Sequence, residues 1–427
     1  MSQLDEVLEI LQHDHLFLTG GAGTGKSYLT NEVIAHYREE EREVVALGST
    51  GVSAVNVGGF TIHSFFAFGI ASNFDELAQN DKRNGKRLRD LRAILKATDL
   101  IVIDEISMVS TDLMDMILYR LKQYGYRGKV MLVGDFYQLP PIVKQGQDQG
   151  LFGEALYAFE STAWQRLNPV TVELTRMQRT QDTEFAHILN KMRIGLCDAE
   201  VERYCLDLAT HTIDETIDPT HLHGRNAEVE QLNRTKLEAL PTEEVVLVAQ
   251  QEVIGSVHPR RIETWKRMLP VQEQLSLKVG APVLFTVNKW GSFVNGERGI
   301  LRAIESEHLL VEKEETFVRV ERHAFELTEM VVHRDGRIDS VVLASFSQFP
   351  IKLAYAVTIH KSQGMSIDDL VCNVDHIFAP SQFYVALSRA TDPARLKLEY
   401  HRGDLTHYLR RVIRVDERVK AFYAMQP

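Results

Sequence analysis

Short uninterrupted apolar runs punctuate the first part of the chain: Leu16-Phe17-Leu18, Val44-Val45-Ala46-Leu47, Leu100-Ile101-Val102-Ile103 and Val130-Met131-Leu132-Val133. Runs of this length between helical stretches read as parallel strands buried on both faces. The alternation predicts an α/β domain through about residue 170, with ligands at the carboxyl ends of its strands. A second set of the same kind starts near Val170 and includes Val357 to Ile359, Leu370 to Val374 and Leu396 to Tyr400. Between about 272 and 347 the pattern turns β-rich, as in Val283-Leu284-Phe285-Thr286-Val287, with turn signals at Asn295-Gly296 and Asp335-Gly336.

These patterns predict interleaved domains. Residues 1–63 and 96–170 form a first lobe, and 64–95 a small insertion in it. Residues 171–271 and 348–427 form a second lobe, with 272–347 a small inserted β-barrel. The first insertion is apolar at Phe65, Phe66 and Phe68 and then basic at Lys82, Arg83, Lys86, Arg87, Arg89 and Arg92. That basic stretch can meet nucleic acid or form a solvated helical face.

Composition changes the picture little. The 427 residues carry a formal charge of −11, which argues against a surface that coats nucleic acid but allows a narrow basic channel. Cys197, Cys205 and Cys372 lack CxxC spacing and are too few for a disulfide framework, so a reduced compartment fits. No secretory signal opens the sequence, and no run approaches the roughly 20 apolar residues of a membrane span. A cytoplasmic protein without membrane partners is expected.

The chemistry begins at Gly20-Gly21-Ala22-Gly23-Thr24-Gly25-Lys26-Ser27, which follows a predicted strand and opens a helix. In that context the backbone from Gly21 through Gly23, Thr24 and Gly25 can cradle phosphates. Lys26 can neutralise the β and γ charge, and the Ser27 hydroxyl can hold magnesium. ATP and Mg2+ are the expected ligands. Asp104 and Glu105 end a buried run beside this loop, which suits Asp104 to the metal and Glu105 to general-base work, against the plainer role of a helix cap. Gln138, in Gly134-Asp135-Phe136-Tyr137-Gln138-Leu139-Pro140-Pro141, either senses a γ-phosphate or belongs to a proline turn. Arg179 and Arg389 can reach a nucleotide held between lobes and stabilise charge on the transferring phosphoryl group, although a single arginine is more often a surface ion pair.

The order of these motifs resembles that of superfamily one helicases, and specifically the PIF (petite integration frequency) family of DNA helicases in its 5′-to-3′ branch. Besides GGAGTGKS, the resemblance is carried by STGVSAVNVGGFTIHSFF at 49–66, IVIDEISMVS at 101–110 and VGDFYQLPPI at 133–142. It continues through ELTRMQRTQDTEFAHILNKMRIG at 173–195, GAPVLFTVNKWGSFVNGERG at 280–299, QFPIKLAYAVTIHKSQGMS at 348–366 and QFYVALSRA at 382–390. The match spans almost the whole chain. Its ordered blocks are far more specific than the phosphate loop alone.

The resemblance implies two RecA-like P-loop lobes with ATP between them, a β-barrel inserted in the second, and DNA crossing both. It implies an ATP-dependent helicase that moves 5′-to-3′ on single-stranded DNA and opens forked or tailed duplex. Gln3 is similar by position to the family glutamine that reads adenine. Arg179 and Arg389 match the family's γ-phosphate arginines, and Gln138 its phosphate sensor. One departure is visible: Tyr126-Arg127-Gly128-Lys129 stands where the family usually carries a Phe-Gly-Gly signature. The chain also lacks the long terminal extensions of eukaryotic members, so a minimal helicase core, monomeric when free, is expected.

A motor that ignores sequence needs phosphate contacts and aromatic faces on which bases stack. The first-lobe candidates are Thr50 and Gly51 at a strand end and Thr61, His63, Ser64 and Phe65 at the start of the insertion. Thr358, His360, Lys361 and Ser362 occupy the equivalent edge of the second lobe. The plainer role for His63 and His360 is a hydrogen-bonded structural histidine, and for Phe65 ordinary core. Two rivals to a translocating motor are a nucleic-acid clamp that uses ATP without stepping and a P-loop ATPase that acts on protein.

Overall fold

The computed structural model describes residues 2–426, apart from 70, 72, 83, 142–155, 214–217, 290, 314–315 and 334–337. Arg83 of the basic stretch and the expected Asp335-Gly336 turn lie outside the described residues.

The first sheet comprises β1 (Leu16–Gly20), β2 (Val44–Gly48), β3 (Phe60–Thr61), β4 (Leu100–Asp104), β5 (Lys129–Val133) and β6 (Val170–Leu174). All pair in parallel, in the order β3-β2-β4-β5-β1-β6. The apolar runs are continuous because helices cover both faces and alternate side chains enter different cores. Ile101, Ile103, Val130 and Leu132 join one core, whereas Leu100, Val102, Met131 and Val133 join the other. β4 and β5 thus bury both of their faces, which removes the need for polar alternation.

The chain enters the second sheet at β7 (Thr220–His223) and then leaves it for an antiparallel module. That module runs through β8 (Val245–Val248), β9 (Gln250–Val253), β10 (Gln274–Leu277), β11 (Pro282–Phe285), β12 (Arg298–Ile304), β13 (His308–Lys313), β14 (Thr316–Glu321), β15 (His323–Val332), β16 (Ile338–Gln348) and β17 (Ile351–Leu353). It returns as β18 (Ala356–Thr358), β19 (Leu370–Asn373) and β20 (Leu396–Glu399). The second sheet is parallel, in the order β18-β7-β19-β20.

The module consists of three antiparallel sheets, β14-β13-β12-β11-β17, β15-β16-β9 and β10-β8. Leu277, Phe285, Leu301, Val311, Val320, Phe325, Phe346 and Ile351, from seven of the strands in the larger sheets and from β10, share one core. It begins earlier than the expected residue 272. Both β8 and β9 take part, and the helix Pro259–Met268 packs Ile262 against Leu327 and Ala344.

Two other expectations about boundaries are corrected. Val170–Leu174 pairs along its whole length with β1, so it closes the first sheet instead of opening the second lobe. The helix Glu417–Ala424, expected in the second lobe, packs Val419 and Phe422 into the first-lobe core. Phe422 stacks on Phe159 with centroids 4.4 Å apart and meets Phe17 at 6.1 Å. An apolar helix face specifies burial, but not which core receives it.

Candidate ATP site and strand-facing edge

The phosphate loop bends out of β1 and gives way to the helix Lys26–Glu39. Gly23 has φ +75°, and a Cβ there would lie 2.5 Å from the Arg179 Cβ, so a side chain is barred by conformation and by space. Thr24 Oγ1 donates to the Gly21 carbonyl at 3.0 Å. The Lys26 ammonium donates to the carbonyls of Gly20 and Gly21 at 2.8 and 2.9 Å. Burial lowers its pKa, and the charges of Asp135, Glu105 and Asp104 oppose that shift. Ser27, at the start of the helix, is exposed.

Asp104 ends β4, and Glu105 follows it in the left-handed region at φ 53°. Burial, and then the neighbouring Glu105, raises Asp104 to about 7; burial also raises Glu105. Two carboxylates whose charged forms burial disfavours, within reach of the Lys26 charge, have the donor chemistry that a divalent ion and a phosphate chain complete. The Gln363 amide donates to Glu105 Oε2 at 2.9 Å, which joins the second lobe to this carboxylate.

The second lobe closes on the phosphate loop at further points. The Gln178 amide donates to the Gly23 carbonyl at 2.7 Å, and the Tyr384 hydroxyl accepts from the Ala22 amide at 2.8 Å. Arg179 donates to Ser366 Oγ at 2.9 Å and to the Ser388 carbonyl at 2.7 Å. Burial and the adjacent Arg389 charge lower its pKa to about 9. Arg389 is buried and donates to the Val385 carbonyl at 2.9 Å, Ser388 Oγ at 2.8 Å and the Ser362 carbonyl at 3.3 Å. Its charge also acts on Glu105.

Gln138 is buried in the loop after β5, where its backbone amide donates to the Asp135 carbonyl at 2.9 Å. Asp135 itself is clasped by Arg193 at 3.0 and 3.1 Å. Arg193 also pairs with Glu173 at 2.9 Å and lies 5.0 Å from the Tyr137 ring centre. The Tyr423 hydroxyl, on the helix Glu417–Ala424, accepts from the Phe136 amide at 3.2 Å and shares a hydrogen bond with Thr19 Oγ1 at 2.8 Å. It is also 3.3 Å from Asp135 Oδ1.

The other face presents the strand ends expected to meet nucleic acid. A cleft of about 540 Å³ separates the first-lobe edge, with Thr61, His63, Ser64 and Arg87, from Arg260 and Trp265 of the antiparallel module. Arg87 and Arg261 both pair with Glu329 at 2.6 Å, which ties the helix Gly85–Ala97 to β15. Lys82, Lys86, Arg89 and Arg92 are exposed, as either a nucleic-acid contact or a solvated face requires.

Comparison with known proteins places this geometry. A family model described as PIF1-like helicase matches residues 3–203, and one described as Helicase matches 291–408. The ATP-dependent DNA helicase Pif1 of Campylobacter jejuni is 40% identical over 98% of this chain and 96% of its own length. The chain belongs to the PIF1-like helicase family. Among solved structures, a Bacteroides Pif1 in complex with ADP-AlF4 has a TM-score of 0.82 at 27% identity, covering 99% of this chain and 96% of that one. A Bacteroides Pif1 bound to single-stranded DNA has a TM-score of 0.66 at 26% identity, with 99% and 96% covered. The two parallel sheets are accordingly the RecA-like lobes of a PIF1-like helicase.

Within this PIF1-like fold, Lys26, Asp104, Glu105, Arg179 and Arg389 converge on the lobe interface. Gln3 does not join them: it is exposed on the helix Gln3–His13, and among the described residues no hydrogen bond links it to the phosphate loop. The strand-facing residues divide. Thr50, Thr61 and Thr358 use their hydroxyls to accept from the amides of Ser53, Ser64 and Lys361, as local caps do. Gly51 lines the cleft and packs against Met268, with room for no Cβ.

Two expectations about strand contacts are corrected. Phe65 is 7% exposed and packs edge-on against Phe66 at 4.9 Å, so it is core and offers no open face for stacking. The Ser362 hydroxyl is fully buried and donates to the Ile359 carbonyl at 2.9 Å, which makes it an internal brace. His63 and His360 are partly buried, and desolvation lowers both pKa values. Sequence reasoning did not single out Gln363, Asp135, Arg193 or Tyr384, although all four stand inside the motif blocks. Tyr423 lies outside every block and carried no signal.

Proposed function

We propose that this chain is an ATP-dependent DNA helicase that moves 5′-to-3′ along a single strand and separates forked or tailed duplex. The observation that carries the reading is the Gln363 amide on Glu105, 2.9 Å away. Gln363 follows Thr358, His360 and Lys361 within one short segment, so a single hydrogen bond joins that edge of the second lobe to the first-lobe carboxylate proposed as general base. A strand that shifts this segment also shifts the carboxylate, and a coupled motor requires such a link.

In this reading Glu105 accepts a proton from water, and Lys26, Arg179 and Arg389 hold negative charge on the phosphates. Ser27 and Asp104 would hold Mg2+, which supplies charge neutralisation when bound. Both lobes come from one chain, so a single copy forms the whole nucleotide site and can act as a monomer when free.

Strand separation on partial duplexes with a 5′ or a 3′ single-stranded tail, with Glu105→Gln as control, tests the reading. Unwinding of the 5′-tailed duplex alone, lost in Glu105→Gln, is expected. Unwinding of neither, with strand-stimulated ATP hydrolysis intact, would replace the helicase by a clamp.

A further inference from the structure

The burial of Phe65 leaves the strand-facing edge without the aromatic face expected there, and the second lobe offers another. Phe378 is 60% exposed, although its neighbours hold it firmly. Its ring lies parallel to that of His360, with centroids 5.7 Å apart and 13° between planes. The backbone amides of Phe378 and Ala379 both donate to Gln382 Oε1, at 2.9 and 3.1 Å, and Gln382 is fully buried. The same loop sits so close to Gly224 that a Cβ there would come within 2.2 Å of the His376 carbonyl. An exposed aromatic fixed in this way has little freedom to lose when something packs on it.

Positive charge lies next in sequence to the stacked His360. Lys361 follows His360 and is exposed. Lys352 on β17 is close enough to feel its charge: burial, and then Lys361, lowers Lys352 to about 8. Among the described residues no carboxylate pairs with either lysine. An exposed lysine with no carboxylate partner, next in sequence to the histidine on which an exposed aromatic ring stacks, suits a ligand that is flat at one end and anionic at the other.

We propose that Phe378 is a stacking platform for one nucleobase of the single strand, with Lys361 facing the adjoining phosphate. The base packs on the ring from solvent, opposite His360, and extends the existing stack by one layer. Stacking is indifferent to base identity, as a translocating motor needs. The proposal rests on the helicase reading and adds the mode by which the second lobe grips.

Fluorescence anisotropy with a labelled oligothymidylate and an abasic oligomer of equal length tests it. Phe378→Ala is expected to weaken oligothymidylate binding about tenfold and to leave abasic binding within about twofold. Lys361→Ala is expected to weaken both alike. In Phe378→Trp, affinity is expected to persist, and the added indole emission to be quenched by oligothymidylate but not by the abasic oligomer. Equal effects of Phe378→Ala on the two oligomers, or none on either, would overturn the platform. Wild-type protein that bound neither oligomer would instead overturn the helicase reading beneath it.

Discussion

The nucleotide cleft and the strand-facing edge both rest on the carboxyl ends of parallel strands, yet they use their side chains differently. At the cleft, charged groups from both lobes converge: Lys26, Asp104 and Glu105 from one, Arg179 and Arg389 from the other, with Gln363 bridging. At the strand-facing edge the candidate side chains first serve their own fold. Thr50 and Thr61 cap helices, Thr358 closes a turn, Phe65 fills core, and Ser362 braces the loop beneath Arg389. Phosphoryl transfer needs charge concentrated at one point, whereas a grip on a polymer can be spread over many weak contacts.

The largest expected effect lies at the cleft. Arg389→Ala should lower the rate of ATP hydrolysis by about 10³-fold or more while nucleotide binding persists. Steady-state kinetics beside equilibrium nucleotide titration would check it. Because Arg389 also braces the loop from Ser362 to Met365, Arg389→Lys separates lost packing from lost charge. Comparable loss of binding and rate in both variants would make Arg389 a structural post and erase the contrast.

At the strand-facing edge the prediction concerns stability. Phe65→Ala should cost about 3–5 kcal/mol in denaturant unfolding, with strand affinity of the folded protein little changed. Weakened strand binding at unchanged stability would return Phe65 to the surface role that its sequence context suggested.

The smallest expected effect sits between the two regions. Tyr423→Phe removes the hydroxyl that joins Thr19, the Phe136 amide and Asp135, and should cost about 1 kcal/mol in a thermal melt. An unchanged melting temperature would show that water replaces the hydroxyl without loss.

Much of this was legible before the structure. Strands buried on both faces announce themselves as apolar runs, and the phosphate loop, Asp104, Glu105, Arg179 and Arg389 occupy fixed places within motifs. Pairing partners were not legible. Val170–Leu174 has exposed and buried positions typical of an edge, and nothing within it says which sheet has the free edge. Exposure was equally silent: Phe65 beside a strand motif is buried, whereas Phe378 in an unremarked loop is open. The three threonines were singled out as strand contacts from their motif blocks, which do not show that their hydroxyls already answer to nearby amides.

The helix Glu417–Ala424 sets the order of assembly. Thr19 and Tyr423 meet across 404 residues of sequence, and Phe422 seals an aromatic cluster with Phe17, Phe136 and Trp164. During synthesis the first lobe therefore emerges first but must wait for almost everything else before its core is complete. The second lobe and the antiparallel module mature inside that interval, as a long loop whose ends have yet to meet. A chain truncated before this helix would carry every ATPase motif and an open seam of aromatic rings, the kind of surface that chaperones recognise.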